Sequence, residues 1–130
     1  MSNKYFCDHS YGFIPFLNCL GKGALISIDF DDIRTLMKDS SSITYAIGLG
    51  DGEAKGSRAG EMAVRLLGSG EKYKGMLFYV TGGDDLSLYE VNDAAEAIYN
   101  ICENDADIIF GAKIDNKYRG KIRIDVLGAN

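Results

Sequence analysis

Residues 76–80 read Met-Leu-Phe-Tyr-Val, an unbroken apolar run of strand length that stops just before Thr81 and two glycines. A strand with one face in water alternates apolar and polar residues, whereas a strand covered on both faces is apolar throughout. The run therefore predicts a strand that is covered on both of its faces. Other elements of the chain, helices above all, must supply that cover.

Helical and strand patterns alternate along the rest of the sequence. Apolar residues three and four apart predict four helices: one after Pro15 within residues 13–20, and three over about 30–37, 57–67 and 86–103. In the last of these, the apolar residues from Leu88 to Ile101 are spaced for burial. The remaining strands are predicted at 43–47, 107–114 and 121–127, with a glycine-rich loop after the first of them.

A short polar segment, Asp115–Gly120, joins the last two predicted strands. Such a short connection predicts that these two strands are antiparallel neighbours. Helix crossovers between the first three strands and a hairpin at the end imply a mixed sheet. The expected fold is an α+β two-layer sandwich, a mixed four-stranded sheet packed by two to three helices.

Composition and charge narrow the function. The 130 residues are 46% hydrophobic and carry a net charge of -5, so a general attraction to nucleic acid is not expected. No apolar run approaches the roughly 20 residues of a membrane-spanning helix, and the first residues lack a secretory signal. The sequence has three cysteines, none in a CxxC spacing, and a single histidine, His9. This pattern favours reduced thiols in the cytosol over a disulfide framework or a zinc site.

An acidic segment precedes the helix predicted at 30–37. Asp29 and Asp32 stand three residues apart beside the helix start, with Asp31 between them. Carboxylates at that spacing can converge on one water or one hard cation. They can equally serve as a helix N-cap and a favourable first-turn charge, which needs no substrate. The spacing alone leaves both readings open.

Three segments in this order resemble the C-terminal domain of FtsZ, the tubulin-like bacterial cell-division GTPase. They are Leu25–Met37, which is similar to that family's catalytic loop, Thr81–Val91, which resembles its T-G-G-x-D-L turn and helix, and Ile108–Asp115. With Gly52–Ala54 and Ser57–Ala59, the resemblance covers about residues 16–128. It divides the chain into an N-terminal arm with the end of a linking helix at 1–15 and an FtsZ C-terminal-like domain at 16–130.

The resemblance implies specific roles. In that family GTP lies on the first domain of one subunit, and the acidic loop of the next subunit completes the hydrolytic site. Asp29 and Asp32 would be the catalytic carboxylates in trans, and the candidates for holding a cation. The expected interface residues are Ser27, Phe30, Asp31 and Arg34.

Two residues depart from the family pattern. Ser27 stands where the family has asparagine, and Asp31 where it has a small residue. A third carboxylate raises local repulsion, which favours cation binding or weakens docking onto an anionic triphosphate. The departures favour a loop kept for contact over one kept for catalysis.

The family's phosphate-binding glycine loop has no counterpart in the sequence. The stretch Gly48–Glu53 is rich in glycine but carries two acids that would repel phosphate. We therefore expect no cofactor in this chain and no GTPase activity by the chain alone. GTP, with a divalent or monovalent cation, would enter only in a complex with a nucleotide-binding half.

The expected function is a cytoplasmic assembly module of cell-division filaments. It would dock its acidic loop onto the GTP face of an FtsZ-type subunit and complete hydrolysis in trans, or cap filaments. The alternatives are a small homo-oligomeric cation-binding domain with a site between subunits, and an inactive truncated fragment. Nucleic acid and direct membrane contact are not expected, the latter because the family's linker and terminal tail do not follow Asn130 in this sequence.

Overall fold

The computed structural model describes residues 24–26, 30–38, 40–68, 70 and 72–130. In chain order the elements are β1 (Ala24–Ile26), α1 (Phe30–Lys38), β2 (Ile43–Asp51), α2 (Lys55–Leu67), β3 (Tyr73–Gly82), α3 (Leu88–Tyr99), β4 (Cys102–Ile114), a 3₁₀ turn (Asn116–Tyr118) and β5 (Lys121–Ala129). The helix predicted after Pro15 and the arm at 1–15 lie outside the described residues. Within the described part, no helix is long and apolar enough to cross a membrane.

The strands form one sheet in the order β1-β4-β3-β5-β2. Strands β3 and β4 are parallel neighbours joined by α3, and the other three pairings are antiparallel. The α+β class and the mixed sheet of four long strands are thus confirmed. A three-residue strand, β1, which the sequence did not reveal, adds a short fifth member beside the end of β4.

The prediction that the last two strands are neighbours is wrong. Strand β3 lies between β4 and β5, because the segment Asp115–Gly120 crosses the end of β3 instead of folding back as a hairpin. Burial explains the order. All residues of β5 from Ile122 to Ala129 are buried, as a central strand requires, whereas β4 carries exposed polar residues between Glu103 and Ile108 and lies toward the edge.

Strand β3 is buried on both faces, as its apolar run predicts. Met76, Phe78 and Val80 point into the larger core, beneath α2 and α3, with Ile122, Ile124 and Val126 of β5. Leu77 and Tyr79 point to the opposite face, where α1 covers them together with Leu127 and Ala129. The sheet and the helix pair α2 and α3 form the two main layers, and α1 covers part of the second face.

Helices α2 and α3 pack closely because glycines face α3. A Cβ atom at Gly56 would lie 2.1 Å from the carbonyl oxygen of Glu90, so only glycine permits this approach. Helix α3 ends at Tyr99, earlier than predicted, since β4 begins at Cys102. Leu88, predicted to be buried, is instead 86% exposed in the first turn of α3.

Candidate functional site

Helix α1 brings the described part of the acidic segment to the surface. Its apolar residues Ile33 and Leu36 are buried against the sheet, which fixes the rotation of the helix. Asp31 and Arg34 therefore lie on the side that faces solvent, and Asp32 lies on the flank of the helix next to Leu36, since successive residues turn by about 100° around a helix. All three side chains are exposed, but they do not share one face of the helix.

Asp31 is occupied by a local ion pair. Arg34 Nη1 lies 3.2 Å from Asp31 Oδ1, and both side chains are more than three-quarters exposed. A pair this accessible to water contributes little to stability. Both side chains can therefore exchange this contact for one with a partner at small cost.

Asp32 lies at the rim of a cavity of about 530 Å³ between α1 and the sheet. The cavity opens where β3 and β4 run past the helix, beside the last residues of β5. Among the described residues, its lining combines apolar and polar groups: Asp32, Thr35, Leu36, Ser40, Lys74, Gly75, Asp107, Ile108, Ile109, Ala129 and Asn130. Such a volume is large enough for a small ligand or for a side chain of a partner.

Several predicted site residues lie outside the part of the chain that the structure describes. Ser27 and Asp29 are among them, and Phe30 is described only as the first residue of α1. The convergence of Asp29 with Asp32 therefore stays a prediction. Over the described ranges, no three His, Cys, Asp or Glu side chains come together as a metal-binding group.

A second acidic pair, Asp84 and Asp85, follows β3 and is bound within the chain. Arg119 donates to both carboxylate oxygens of Asp84, at 3.0 and 2.6 Å. The backbone N–H of Gly120 donates to Asp85 Oδ2 at 2.9 Å, which holds the pKa of Asp85 below its usual value. These contacts fasten the turn before α3 to the connection between β4 and β5.

Lys55, the first residue of α2, completes this network. Its Nζ lies 2.9 Å from Glu90 Oε2 and 3.5 Å from Asp85 Oδ2, and only 7% of its side chain is exposed. The hydrogen bond to Glu90 raises the pKa of Lys55 against the opposing effect of burial. Burial raises the pKa of Glu90, but the hydrogen bonds from Lys55 and Ser87 outweigh it and the net shift is downward.

Glu90 also caps α3. Its carboxylate accepts the Ser87 backbone N–H at 3.0 Å, while Ser87 Oγ accepts the Glu90 N–H at 3.3 Å. This reciprocal arrangement satisfies amides that the helix itself leaves unpaired. The contacts of the Gly-Gly-Asp-Asp turn and of the first turn of α3 are thus structural. They hold three loops together at one end of the sheet.

The glycine-rich stretch after residue 47 is mostly strand. Residues 48–51 continue β2, and a Cβ atom at Gly48 would lie 1.9 Å from the carbonyl oxygen of Ala59 in α2. The glycines let a helix lie directly on the strand. The prediction of a loop from residue 48 is therefore wrong.

Sequence reasoning missed a buried polar cluster on the α1 face of the sheet. Arg123 donates to both oxygens of Asp125, at 2.9 and 3.0 Å, and Tyr45 donates its hydroxyl hydrogen to the same carboxylate. Burial, together with the negative charge of Asp125, raises the pKa of Tyr45. Residues two apart on a strand share a face, so the spacing of Arg123 and Asp125 was a usable signal.

Comparison with solved structures defines the class of the fold. An empty FtsZ dimer from M. jannaschii superposes with a TM-score of 0.79 at 28% identity, covering 90% of this chain and 35% of that one. A tryptophan-to-tyrosine mutant of FtsZ from M. jannaschii gives 0.77 at 24% identity, covering 100% and 45%. CetZ from Methanosaeta thermophila strain DSM 6194 shares the fold at 0.57 and 14% identity, covering 77% and 31%. The class is the α+β domain of FtsZ-like proteins.

The model of the FtsZ family, C-terminal domain, matches residues 42–130, which is more than half of the chain. The chain belongs to the FtsZ family and carries its C-terminal domain. It spans less than half the length of the FtsZ chains that it matches. The acidic segment and α1 precede the matched range.

Proposed function

We propose that this chain is a cytoplasmic assembly domain of FtsZ-type cell-division filaments. Through the exposed side of α1, it docks onto the GTP-bearing face of a neighbouring subunit. Asp32, with Asp29, then helps to position the attacking water, so that hydrolysis is completed in trans. GTP and any cation belong to that complex and are not held by this chain alone.

One observation carries the proposal: α1 exposes Asp31, Asp32 and Arg34 while its apolar side is fixed against the sheet. Asp31 and Asp32 also stand in the first turn of the helix, where their charges favour it, so the proposal adds binding to a structural use. Asp84 and Asp85, by contrast, bind donors from another loop of the chain. Membership of the FtsZ family supplies the kind of partner.

The proposal is tested by GTP turnover in a mixture. The partner is an FtsZ subunit whose nucleotide site is intact and whose own acidic loop has been inactivated by substitution. Adding this chain should raise the turnover of that subunit, because its carboxylates complete the site. The variant Asp32→Ala should lower the stimulated rate by about a hundredfold, the lower end of the contribution of a side chain positioned for general acid or base catalysis.

Asp93→Ala is the matched control, because Asp93 is an exposed aspartate of α3 and lines a groove between α2 and α3 instead of the α1 cavity. It should leave the stimulation unchanged. Inhibition of an intact FtsZ by the wild-type chain, without stimulation of the inactivated subunit, would instead show capping. No effect of the wild-type chain on either subunit would refute the docking role.

A further inference from the structure

The cavity beside Asp32 is rich in hydrogen-bond acceptors. Thr35 Oγ1 donates its hydrogen to the carbonyl of Asp31 at 2.9 Å, and Ser40 Oγ donates to the carbonyl of Leu36 at 2.6 Å. A hydroxyl whose hydrogen is used inside the helix has only lone pairs left for a guest. Two of the polar groups at this cavity therefore present acceptors.

The charged side chains at the cavity also favour a guest that donates hydrogen bonds. Asp32 of α1 and Asp107 of β4 both line it, and both are exposed. Lys74 is the only cationic side chain among the described lining residues, so the charged side chains of the lining sum to -1. A single cationic group would neutralise these side chains.

The apolar residues of the lining specify more than a bare cation. Leu36 and Ala129 are buried, Ile109 is half-buried, and together they give the cavity an apolar wall. A hydrated metal ion gains nothing from such a wall. An arginine side chain suits both parts, because its aliphatic stem covers apolar surface while its guanidinium offers five donors in one plane.

We propose that this cavity receives an arginine side chain from the FtsZ-type subunit on which the chain docks. Asp107 binds the guanidinium, and the hydroxyls of Thr35 and Ser40 accept from it, while Asp32, which lines the same cavity, adds negative charge. The identity of the partner rests on the docking role proposed above. The preference for a guanidinium rests on the cavity alone, so the two can be tested separately.

The preference of the cavity for a guanidinium is tested by NMR titration of the ¹⁵N-labelled 130-residue chain. The probe is Nα-acetyl-arginine methylamide, and its control is the citrulline analogue, which has the same shape without the charge. The arginine probe should shift the amides of Thr35, Ile109 and Asn130, and Asp107→Asn should weaken its binding by about fivefold, roughly 1 kcal/mol. Asp93→Asn should leave the binding unchanged.

Equal binding of the citrulline probe, or an unchanged affinity in Asp107→Asn, would overturn the proposal. So would shifts spread equally over acidic residues elsewhere, such as Glu61. Because Asp107 is exposed and the change to asparagine is conservative, a matching thermal unfolding curve should show that the variant is folded.

The claim that the arginine belongs to an FtsZ-type subunit is tested by co-sedimentation of the chain with FtsZ filaments. Asp107→Asn should reduce binding of the chain and flatten its dependence on salt, since a charge at the contact is lost. If the wild-type chain binds filaments and Asp107→Asn binds equally well, this inference fails and the docking role stands. If the wild-type chain does not bind filaments while the arginine probe still binds the cavity, the docking role fails and the site remains a guanidinium site.

Discussion

Two pairs of adjacent aspartates precede or begin a helix in this chain, and the fold treats them differently. Asp84 and Asp85 are held by Arg119, Gly120 and Lys55. Asp31 and Asp32 lie on an exposed helix surface, one in a solvent-exposed ion pair and the other beside a cavity. The same dipeptide thus serves as a structural tie in one place and is available to a partner in the other.

The two acidic pairs differ in the donors that surround them. At the turn after β3, the acids meet donors from two other loops, and the pKa values of Asp85 and Glu90 are lowered. At α1, Asp31 is paired with Arg34 of the same helix, and Asp32 lines a cavity. An exposed carboxylate beside a cavity is a candidate for binding.

The largest expected effect is the loss of the Lys55 network. Lys55→Ala leaves Glu90 and Asp85 beside each other without their shared cation, and Glu90 is about three-quarters buried. The loss should be about 2 kcal/mol of unfolding free energy, less than for a fully buried pair because water still reaches both carboxylates. Urea unfolding followed by circular dichroism measures it.

The matched control is Lys74→Ala, which removes an exposed lysine at the start of β3. It should change the unfolding free energy by less than about 0.5 kcal/mol. Equal losses in the two variants would show that the Lys55 network stabilises the fold no more than an ordinary surface charge does.

A smaller effect is expected in the dependence of the unfolding free energy on pH, on the acid side of neutrality. Because the pKa of Glu90 is lowered from its usual 4.5, its contribution is complete above that value and is lost as the pH falls through the lowered pKa. The stability advantage of the wild type over Glu90→Gln should therefore shrink below pH 4.5. Urea unfolding at a series of pH values measures the difference, and a difference that stays constant down to pH 3 would contradict the assigned role of Glu90.

Much of the fold follows from the sequence because the decisive signals are local. The apolar run at 76–80 predicts the doubly covered strand, and the spacing of Ile33, Leu36 and Met37 predicts α1 with its exposed acidic side. Strand order is not local. The length of the segment Asp115–Gly120 permits both a hairpin and a crossing, and only the continuous burial of β5 against the acidic edge of β4 distinguishes them.

The candidate site was predictable only in part, because it also depends on contacts between segments that are distant in the sequence. The position of Asp32 on an exposed helix side follows from periodicity, but its approach to Asp107 and Lys74 depends on where β3 and β4 pass α1. The spacing of Arg123 and Asp125 places both on one face of a strand, but the sequence does not show that the sheet buries this charged pair.

We expect the pair on α1 to serve a partner and the pair after β3 to serve the fold. Co-sedimentation with FtsZ filaments compares three forms of the 130-residue chain: wild type, the double variant Asp31→Ala with Asp32→Ala, and Asp84→Ala. The double variant should lose most of its binding while its unfolding free energy falls by only about 1 kcal/mol, the contribution of two first-turn helix charges, and Asp84→Ala should bind as the wild type does. Full binding by the folded double variant would overturn this assignment.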